Sequence, residues 1–267
     1  MSAGLALAAG CLYKSLMAMA EETKRKSARR RDIAPTMETS GAGIRVKLAG
    51  AAALALPEGA LWLEAVSALI VSDLHFEKGS AYARRGQLIP PYDTRATLSC
   101  LAALVAALKP KTIISLGDSF HDGEAAARLD DEDADAIKAL TKDRDWIWIN
   151  GNHDPAAPTH LGGRSAEQIE IGGLVLRHEA ASGETSGEIS GHLHPCAKIA
   201  ARGGAVRRRC FATDGARLVM PAFGAFTGGL NVCDEAFAPV FPRGCFALVM
   251  GKTRLYPTPP ERLSPDA

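Results

Sequence analysis

Five short segments of this chain carry side chains whose types and order suit a two-metal hydrolytic centre. Each segment follows an apolar run and contains aspartate, asparagine or histidine. In chain order the residues are Asp73, His75, Asp118, Asn152, His153, Asp154, His178, His192 and His194. This set can supply seven oxygen and nitrogen ligands and one further histidine that acts as an acid. The chain has seven histidines and five of them fall in these segments, which indicates metal-dependent hydrolysis rather than scattered structural histidines.

The individual motifs differ in their specificity. An Asp-x-His pair at Asp73 and a Gly-Asp pair at Asp118 are common in ordinary turns. The sequence Gly-Asn-His-Asp from Gly151 follows an apolar run directly and is much more specific. The sequence Gly-His-Leu-His from Gly191 places two imidazoles on one side of an extended segment.

Two ions about 3.5–4 Å apart can clamp the attacking and leaving oxygens of a phosphoryl transfer. Mixed oxygen and nitrogen ligands without thiolate favour Mn, Fe or Zn over Mg or Ca.

Apolar runs of strand length precede most of these residues. The runs 68–71, 112–116, 146–149 and 174–176 are rich in β-branched, aromatic or leucine residues and predict buried strands. Helical patterns separate them, one stopped by Pro110 and one over 131–141. This β-α-β-α-β order predicts parallel strands with right-handed crossovers. Because ligands collect beyond the carboxyl ends of parallel strands, we expect the distant segments to meet at one edge of the sheet.

The second half of the chain has a different pattern. Strand-like runs at 188–190, 217–220 and 245–250 are separated by glycine-rich turns, with little helical periodicity. They predict a second, more antiparallel sheet packed on the first. The expected fold class is therefore α/β, a two-sheet β-sandwich flanked by helices.

The two ends of the chain differ from the region between them. Residues 1–36 join an apolar stretch to a basic cluster and predict a disordered basic extension, with Met37 as an alternative start. The basic cluster could instead contact nucleic acid or anionic lipid. Residues 37–256 show no linker and predict one domain. The proline-rich tail, 257–267, is predicted to be disordered.

Composition limits the classes of protein that this chain can belong to. A net charge of +1 does not by itself indicate a nucleic-acid binder. The six cysteines form no Cys-x-x-Cys pair, which argues against a zinc ribbon or a disulfide scaffold and favours a cytoplasmic location. Cys196, close to His194, is interpreted as a packed thiol. No segment is long and apolar enough to span a membrane, so no membrane association is expected.

Taken together, the five segments resemble the calcineurin-like (binuclear) metallophosphoesterase superfamily. Its pattern is Asp-x-His, Gly-Asp, Gly-Asn-His-Asp/Glu, His and Gly-His-x-His, and its architecture is an α/β/β/α sandwich. The resemblance implies that one ion is held by Asp73, His75, Asp118 and His194 and the other by Asp118, Asn152, His178 and His192, with Asp118 bridging. His153 matches the family's proton donor to the leaving group, and Asp154 matches the residue that orients this donor.

A narrower resemblance covers nearly the whole domain. Segments of this chain are similar to the ligase-associated DNA damage response endonucleases of the PdeM type: 74–80, 90–95, 117–122, 151–155, 207–211, 221–224 and 227–230. The resemblance implies a bacterial, manganese-dependent phosphodiesterase with DNA as its partner. It also implies functional association with a DNA ligase, a helicase and an exonuclease.

The hypothesis from the sequence is a two-metal phosphodiesterase that hydrolyses DNA, preferably single-stranded, in DNA repair. A metal-bridging hydroxide would attack phosphorus while His153 protonates the departing oxygen. One alternative is the same centre acting on small phosphomonoesters, cyclic nucleotides or nucleotide pyrophosphates. A remote alternative is a non-catalytic scaffold on the same fold, which is disfavoured because such proteins usually lose a ligand or the acid.

Several residues outside the motifs have two interpretations. Arginines at 84, 85, 95 and 207–209 could contact DNA phosphates or could be paired with acidic neighbours. Phe223 and Phe226 are more typical of core packing than of base stacking. His121 is expected either beside the metal centre or on the surface, and His160 is expected in a loop.

Overall fold

The computed structural model describes residues 35–87, 89–90, 92–156 and 158–266. Pro35–Ala267 form one compact unit. Apart from Pro35 and Thr36, the predicted basic extension lies outside the described residues. The first strand begins at Met37, where the sequence predicts the start of the domain.

An eight-stranded sheet forms the first layer. Its strands follow one another in space as in the chain: β1 (Met37–Ser40), β2 (Gly43–Leu48), β3 (Ala51–Ala55), β4 (Leu61–Leu63), β5 (Ala68–Val71), β6 (Thr112–Leu116), β7 (Asp145–Ile149) and β8 (Arg164–Ala166). Strands β1 to β5 pair antiparallel, and β5 to β8 pair parallel. The helices between the parallel strands are α1 (Lys78–Arg84), α2 (Asp93–Leu108) and α3 (Asp131–Thr141).

A second, mixed sheet forms the other layer. Its strands are β9 (Gln168–Ile171), β10 (Leu174–Arg177), β11 (Glu188–Ser190), β12 (Cys196–Ala201), β13 (Gly204–Thr213), β14 (Arg217–Val219), β15 (Phe246–Met250), β16 (Leu255–Thr258) and β17 (Leu263–Ser264). The spatial order is β16-β15-β13-β14-β11-β10-β9, and β12 pairs with both β13 and β17. Strand β11 is parallel to β10 and to β14. Short 3-10 helices lie at Glu64–Val66, Ala125–Ala127, Thr159–Leu161, Glu235–Phe237 and Pro260–Arg262.

Three clusters of buried apolar side chains hold these layers together. The largest lies between the two sheets and includes Ile70 and Ile114 from the first and Leu176 and Phe211 from the second. A second cluster packs α2 and α3 on the outer face of the first sheet, where Trp146 is fully buried. The third covers the outer face of the second sheet with residues 232–245. Two sheets with apolar faces toward each other confirm the predicted α/β sandwich.

Most of the predicted elements form, and the largest error is at the carboxyl terminus. Helix α3 has the predicted bounds, and Asp130 caps it by accepting a hydrogen bond from Asp133 N at 2.7 Å. The tail 257–267, predicted to be disordered, instead completes β16, forms a 3-10 turn and adds β17 to β12. Proline is tolerated in β16 because this strand lies at the sheet edge, where a missing N–H breaks no ladder.

A candidate metal centre at the carboxyl edge of both sheets

The predicted site residues lie beyond the carboxyl ends of strands in both sheets. Asp73 and His75 follow β5, Asp118 follows β6, and Asn152 and His153 follow β7. The second sheet contributes the remaining imidazoles: His178 follows β10, and His192 and His194 follow β11. Parallel pairing within each sheet brings its own segments to one edge, and packing of the sheets brings the two edges together.

One group of side chains consists of Asp73, His75 and His194. The Asp73 carboxylate is fully buried, and its Oδ1 lies 3.0 Å from His194 Nε2. Its Oδ2 accepts hydrogen bonds from Ser72 Oγ and from the His192 backbone N–H, which fix its orientation. His75 Nε2 lies 3.4 Å from His194 Nε2. A carboxylate and two imidazole nitrogens therefore face one point, and their ligand atoms lie within 4.8 Å of one another.

A second group consists of Asp118, His178 and His192, with Asn152 beside them. His178 Nε2 lies 3.5 Å from Asp118 Oδ1. The Asn152 side-chain oxygen lies 3.0 Å both from His178 Nε2 and from His192 Nδ1. The Asp118 charge also acts on His75 of the first group, so this carboxylate interacts with both groups.

The donor set of the second group fits a cation. His178 Nδ1–H donates to the Leu116 carbonyl at 2.8 Å, so Nε2 of the neutral ring carries a lone pair. This lone pair points at the oxygens of Asn152 and Asp118, which are also acceptors. Acceptors that face one another in a buried site repel unless a cation or a proton lies between them. Imidazole, amide and carboxylate donors together suit a borderline transition metal.

The pKa of His178 shows the same need for positive charge. Burial lowers the pKa of His178, but its hydrogen bond to Asp118 and the charges of Asp73 and Asp118 outweigh burial and raise this pKa to about 9. Burial lowers the pKa of His75 to about 3, although Asp73 opposes this shift. His75 is therefore neutral, the form that binds a metal, whereas His178 must release a proton when a metal binds.

The backbone around the centre is strained, a feature that no sequence motif predicts. Five residues at the centre that are not glycine have positive φ values: Asp73 (52°), His75 (46°), Asp118 (45°), His192 (65°) and His194 (45°). Left-handed conformations at residues other than glycine cost about 1–3 kcal/mol each and persist where the surroundings impose them. Neighbouring glycines allow the close approach that this requires: a Cβ on Gly117 would collide with the His178 ring, and one on Gly191 with Ser72 Oγ.

His153 lies at the solvent side of Asp118. Its Nε2 is 3.9 Å from Asp118 Oδ2, and its backbone N–H donates to Asp118 Oδ1 at 2.9 Å. Its Nδ1–H donates to the His121 carbonyl at 2.9 Å, so this carbonyl orients the ring. The His121 imidazole stacks on the His153 ring with centroids 5.7 Å apart. Of the two placements open for His121, the structure shows the one beside the centre.

Asp154 is expected to orient His153, and this role stays a prediction. In the structure, Asp154 Oδ2 accepts a hydrogen bond from Phe120 N at 3.1 Å. Burial raises the pKa of Asp154 to about 7. The side chain is thus a positioning group for the loop after Asp118, and the motif could not show this because it gives sequence order but not direction.

Most of the arginines considered as phosphate contacts are engaged within the protein. Arg84 pairs with Glu124, and Arg95 pairs with Glu132 at 2.9 Å as well as with two other carboxylates. Arg209 is not available to DNA, because its guanidinium donates to the Ala222 carbonyl at 2.8 Å.

The remaining predictions from single residues have mixed outcomes. Phe223 is buried and belongs to the core, as expected, whereas Phe226 is exposed. Cys196 is a buried thiol, as interpreted. No helix in the described part of the chain is long and apolar enough to cross a membrane.

Comparison with known proteins agrees with this geometry. The sequence profile of the family described as "Calcineurin-like phosphoesterase" matches residues 66–199, half of the chain. No curated protein matches the chain. Among solved structures, the nuclease MPE of Pseudomonas putida is similar at a TM-score of 0.61 and 24% identity, covering 83% of this chain and 100% of that one. At this identity the likeness shows the fold.

Two other solved structures are more distant. The protein of unknown function AQ665 from Aquifex aeolicus has a TM-score of 0.33 and 20% identity, over 51% of this chain and 81% of that one. The phosphoesterase YfcE from E. coli has a TM-score of 0.36 and 11% identity, over 72% and 98%. The family profile and the two groups of metal-ligating side chains lead to one conclusion: the chain belongs to the calcineurin-like phosphoesterase family and is a metal-dependent phosphoesterase.

Proposed function

We propose that this protein is a two-metal phosphodiesterase that cleaves DNA, single strands in preference to duplex. The observation that carries the proposal is the convergence of two adjacent ligand groups, each drawn from both sheets, with Asp118 interacting with both groups and His153 beside it. Two adjacent divalent ions suit an in-line phosphoryl displacement.

Each ion has a proposed set of ligands. The first would be held by Asp73, His75, Asp118 and His194, and the second by Asp118, Asn152, His178 and His192. Manganese is the proposed metal, because it accepts carboxylate, amide and imidazole donors together. When bound, the ions supply positive charge at the phosphate oxygens and lower the pKa of a water molecule.

The chain's own groups would handle the leaving group. His153 holds a proton at Nε2, while its Nδ1–H stays on the His121 carbonyl. The Nε2 atom lies 3.9 Å from Asp118 Oδ2, next to the proposed ions. His153 then donates this proton to the departing oxygen as a general acid.

The DNA substrate rests on indirect support. The protein with the similar fold from P. putida is named a nuclease. A strand of DNA can bend its backbone into an open centre more easily when it is single than when it is a stiff duplex. We also propose a cytoplasmic location, a role in bacterial DNA repair, and functional association with a DNA ligase, a helicase and an exonuclease.

The test is hydrolysis by the purified protein after removal of metals and addition of Mn, Mg, Zn or Fe(II) in turn. We expect Mn-dependent nicking of circular single-stranded DNA, slower cutting of duplex, and turnover of a nitrophenyl phosphodiester. The Asp118→Asn variant, purified in the same way, controls for contaminating nucleases and should be inactive. If the protein hydrolyses small esters but cleaves no DNA with any of the metals, the proposal is wrong and the protein is a small-molecule phosphoesterase. Inactivity on every substrate would favour the non-catalytic scaffold.

A further inference from the structure

A row of side chains leads away from His153 along helix α1. The ring of His121 stacks on His153 at 5.7 Å, and the ring of Tyr82 lies 5.7 Å from His121. Lys78 Nζ lies 5.8 Å from the centre of the Tyr82 ring. Arg85, at the end of α1, is exposed, and its charge acts on His121. We call Lys78, Tyr82, Arg85 and His121 the α1 face.

Lys78 occupies a place that is unfavourable for a cation. It is the first residue of α1, where the helix dipole is positive. The side chain is half-buried, and burial lowers the pKa of its ammonium group. Asp93 attracts it, but the Asp93 carboxylate accepts a hydrogen bond from Gly79 N at 3.1 Å. Within the described residues, no ion pair of 4 Å or less forms at Lys78.

Nearby basic side chains are paired, unlike those of the α1 face. Arg128 pairs with Asp122 at 2.8 Å, and Arg84 pairs with Glu124. Within the described ranges Arg85, like Lys78, makes no ion pair. Positive charge that forms no ion pair within the described residues is thus concentrated on one side of His153, where Asp93 and Asp122 interact with the α1 face only electrostatically.

The side of the centre at Asn152 and His178 has a different character. A cavity of about 330 Å³ adjoins these two residues, and Glu167, Glu179 and Arg177 line it; Arg177 pairs with Glu188 at 3.6 Å, which leaves the two carboxylates. Two carboxylates repel a phosphate. The phosphates of a nucleic-acid strand are therefore favoured on the side of the α1 face and disfavoured on the side of this cavity.

We propose that the α1 face binds the phosphate next to the scissile one on the leaving-group side, with Lys78 and Arg85 as its countercharges. This inference rests on the proposed function, since only a substrate longer than one phosphodiester has such a phosphate. The phosphate is assigned to the leaving-group side because His153, which donates to the leaving oxygen, is the first side chain of the row. A phosphate at Lys78 would supply the partner that the described protein does not.

The first test compares the Lys78→Gln/Arg85→Gln double variant with the wild type on circular single-stranded DNA across a range of salt concentrations. Neutralising one phosphate of a single strand contributes about 0.7 to the slope of log affinity against log salt. We expect the slope of log kcat/KM to become shallower by about this amount, with kcat/KM roughly tenfold lower at low salt. Lys111→Gln/Lys142→Gln is the matched control, because both lysines are exposed at the opposite end of the parallel strands.

The second test uses dithymidylate with an extra terminal phosphate at its 5′ end, at its 3′ end, or at neither. The wild type should cleave fastest the dinucleotide whose extra phosphate is on the leaving nucleoside, and the reaction products identify that nucleoside. The double variant should lose this preference. A variant that matches the lysine control in both tests would overturn the inference while leaving the proposed function intact. If the wild type itself does not cut single-stranded DNA with any metal, the proposed function fails and the inference fails with it.

Discussion

At the scale of single residues, two contacts hold His153: its ring donates to the His121 carbonyl, and its backbone N–H donates to the Asp118 carboxylate. The second contact does not involve the His153 side chain, so Asp118 keeps its orientation when this side chain is replaced. Replacing His153 with Asn should therefore leave metal content unchanged.

The same variant should be slow where the leaving group needs a proton. A general acid contributes about 10²–10⁴-fold, so we expect a loss of this size on DNA and a smaller loss on a nitrophenyl diester, whose leaving group is already stable. Kinetics on both substrates, with metal analysis, measure the difference. His160→Asn is the control, because His160 is exposed; it lies in a short 3-10 helix rather than in the loop that the sequence predicts. Equal losses on the two substrates would show that His153 is not the acid.

The identity of the site residues could be predicted from the sequence, but their conformation could not. Asp118 and His194 were recognisable because their motifs combine residue type with spacing. Their positive φ values were not, because residue type and spacing do not specify the backbone dihedral angles. The contact of Asp154 with Phe120 was missed for a related reason: the direction of a side chain depends on tertiary neighbours.

At the scale of elements, the loop 221–224 supports the centre from behind. Phe223 N donates to the Ser72 carbonyl at 2.8 Å, and Gly224 N donates to the Asp73 carbonyl at 3.2 Å. Arg209 holds the other side of this loop through the Ala222 carbonyl. Arg209 is therefore linked to a proposed ligand through the loop, although it does not touch the centre.

Replacing Arg209 with Met should destabilise the protein. Hydrogen bonds from charged groups are worth about 1.5–3 kcal/mol, so we expect the free energy of unfolding to fall by about this amount in urea titrations. Looser positioning of Asp73 should also weaken metal binding. Arg208→Met is the matched control: Arg208 is exposed, and its replacement should change stability by less than about 0.5 kcal/mol. Equal stabilities for the two variants would contradict the role of Arg209.

Elements with strong apolar patterns were predictable, and weakly patterned elements were not. Strands β5, β6 and β7 are buried on both faces and read as continuous apolar runs. Helix α1 was missed because it is short and its cap, Glu77, has a left-handed conformation with no side-chain capping bond. Strands β1, β3 and β4 were missed because β1 and β4 have only four and three residues and alanine makes up most of β3.

At the scale of the whole molecule, the carboxyl terminus closes an edge of the second sheet. Strand β17 pairs with β12, Asn231 Nδ2 donates to the Ser264 carbonyl at 2.9 Å, and Arg207 pairs with Asp266 at 3.1 Å. Strand β12 begins two residues after His194, so this edge lies close in the chain to a proposed ligand.

A chain that ends at Pro259 should be less stable than the full chain. It loses the ladder with β12 and the bond to Asn231, which together contribute about 2 kcal/mol. For a domain of this size that corresponds to a Tm lower by roughly 4–8 °C, measured by calorimetry. Asp266→Asn, which removes only the surface ion pair, should lower Tm by less. An unchanged Tm after truncation would mean that the tail is disordered, as its proline content first indicated.

The proposed ligands are divided between the two sheets, four from the first and three from the second. Asp73, His75, Asp118 and Asn152 follow strands of the first sheet, whereas His178, His192 and His194 follow strands of the second. Each ion would therefore be a cross-link between the two layers, and its binding energy would add to the cohesion of the apolar interface. Metal starvation would loosen the sandwich as well as stop catalysis, so cellular metal supply would set how long the protein survives.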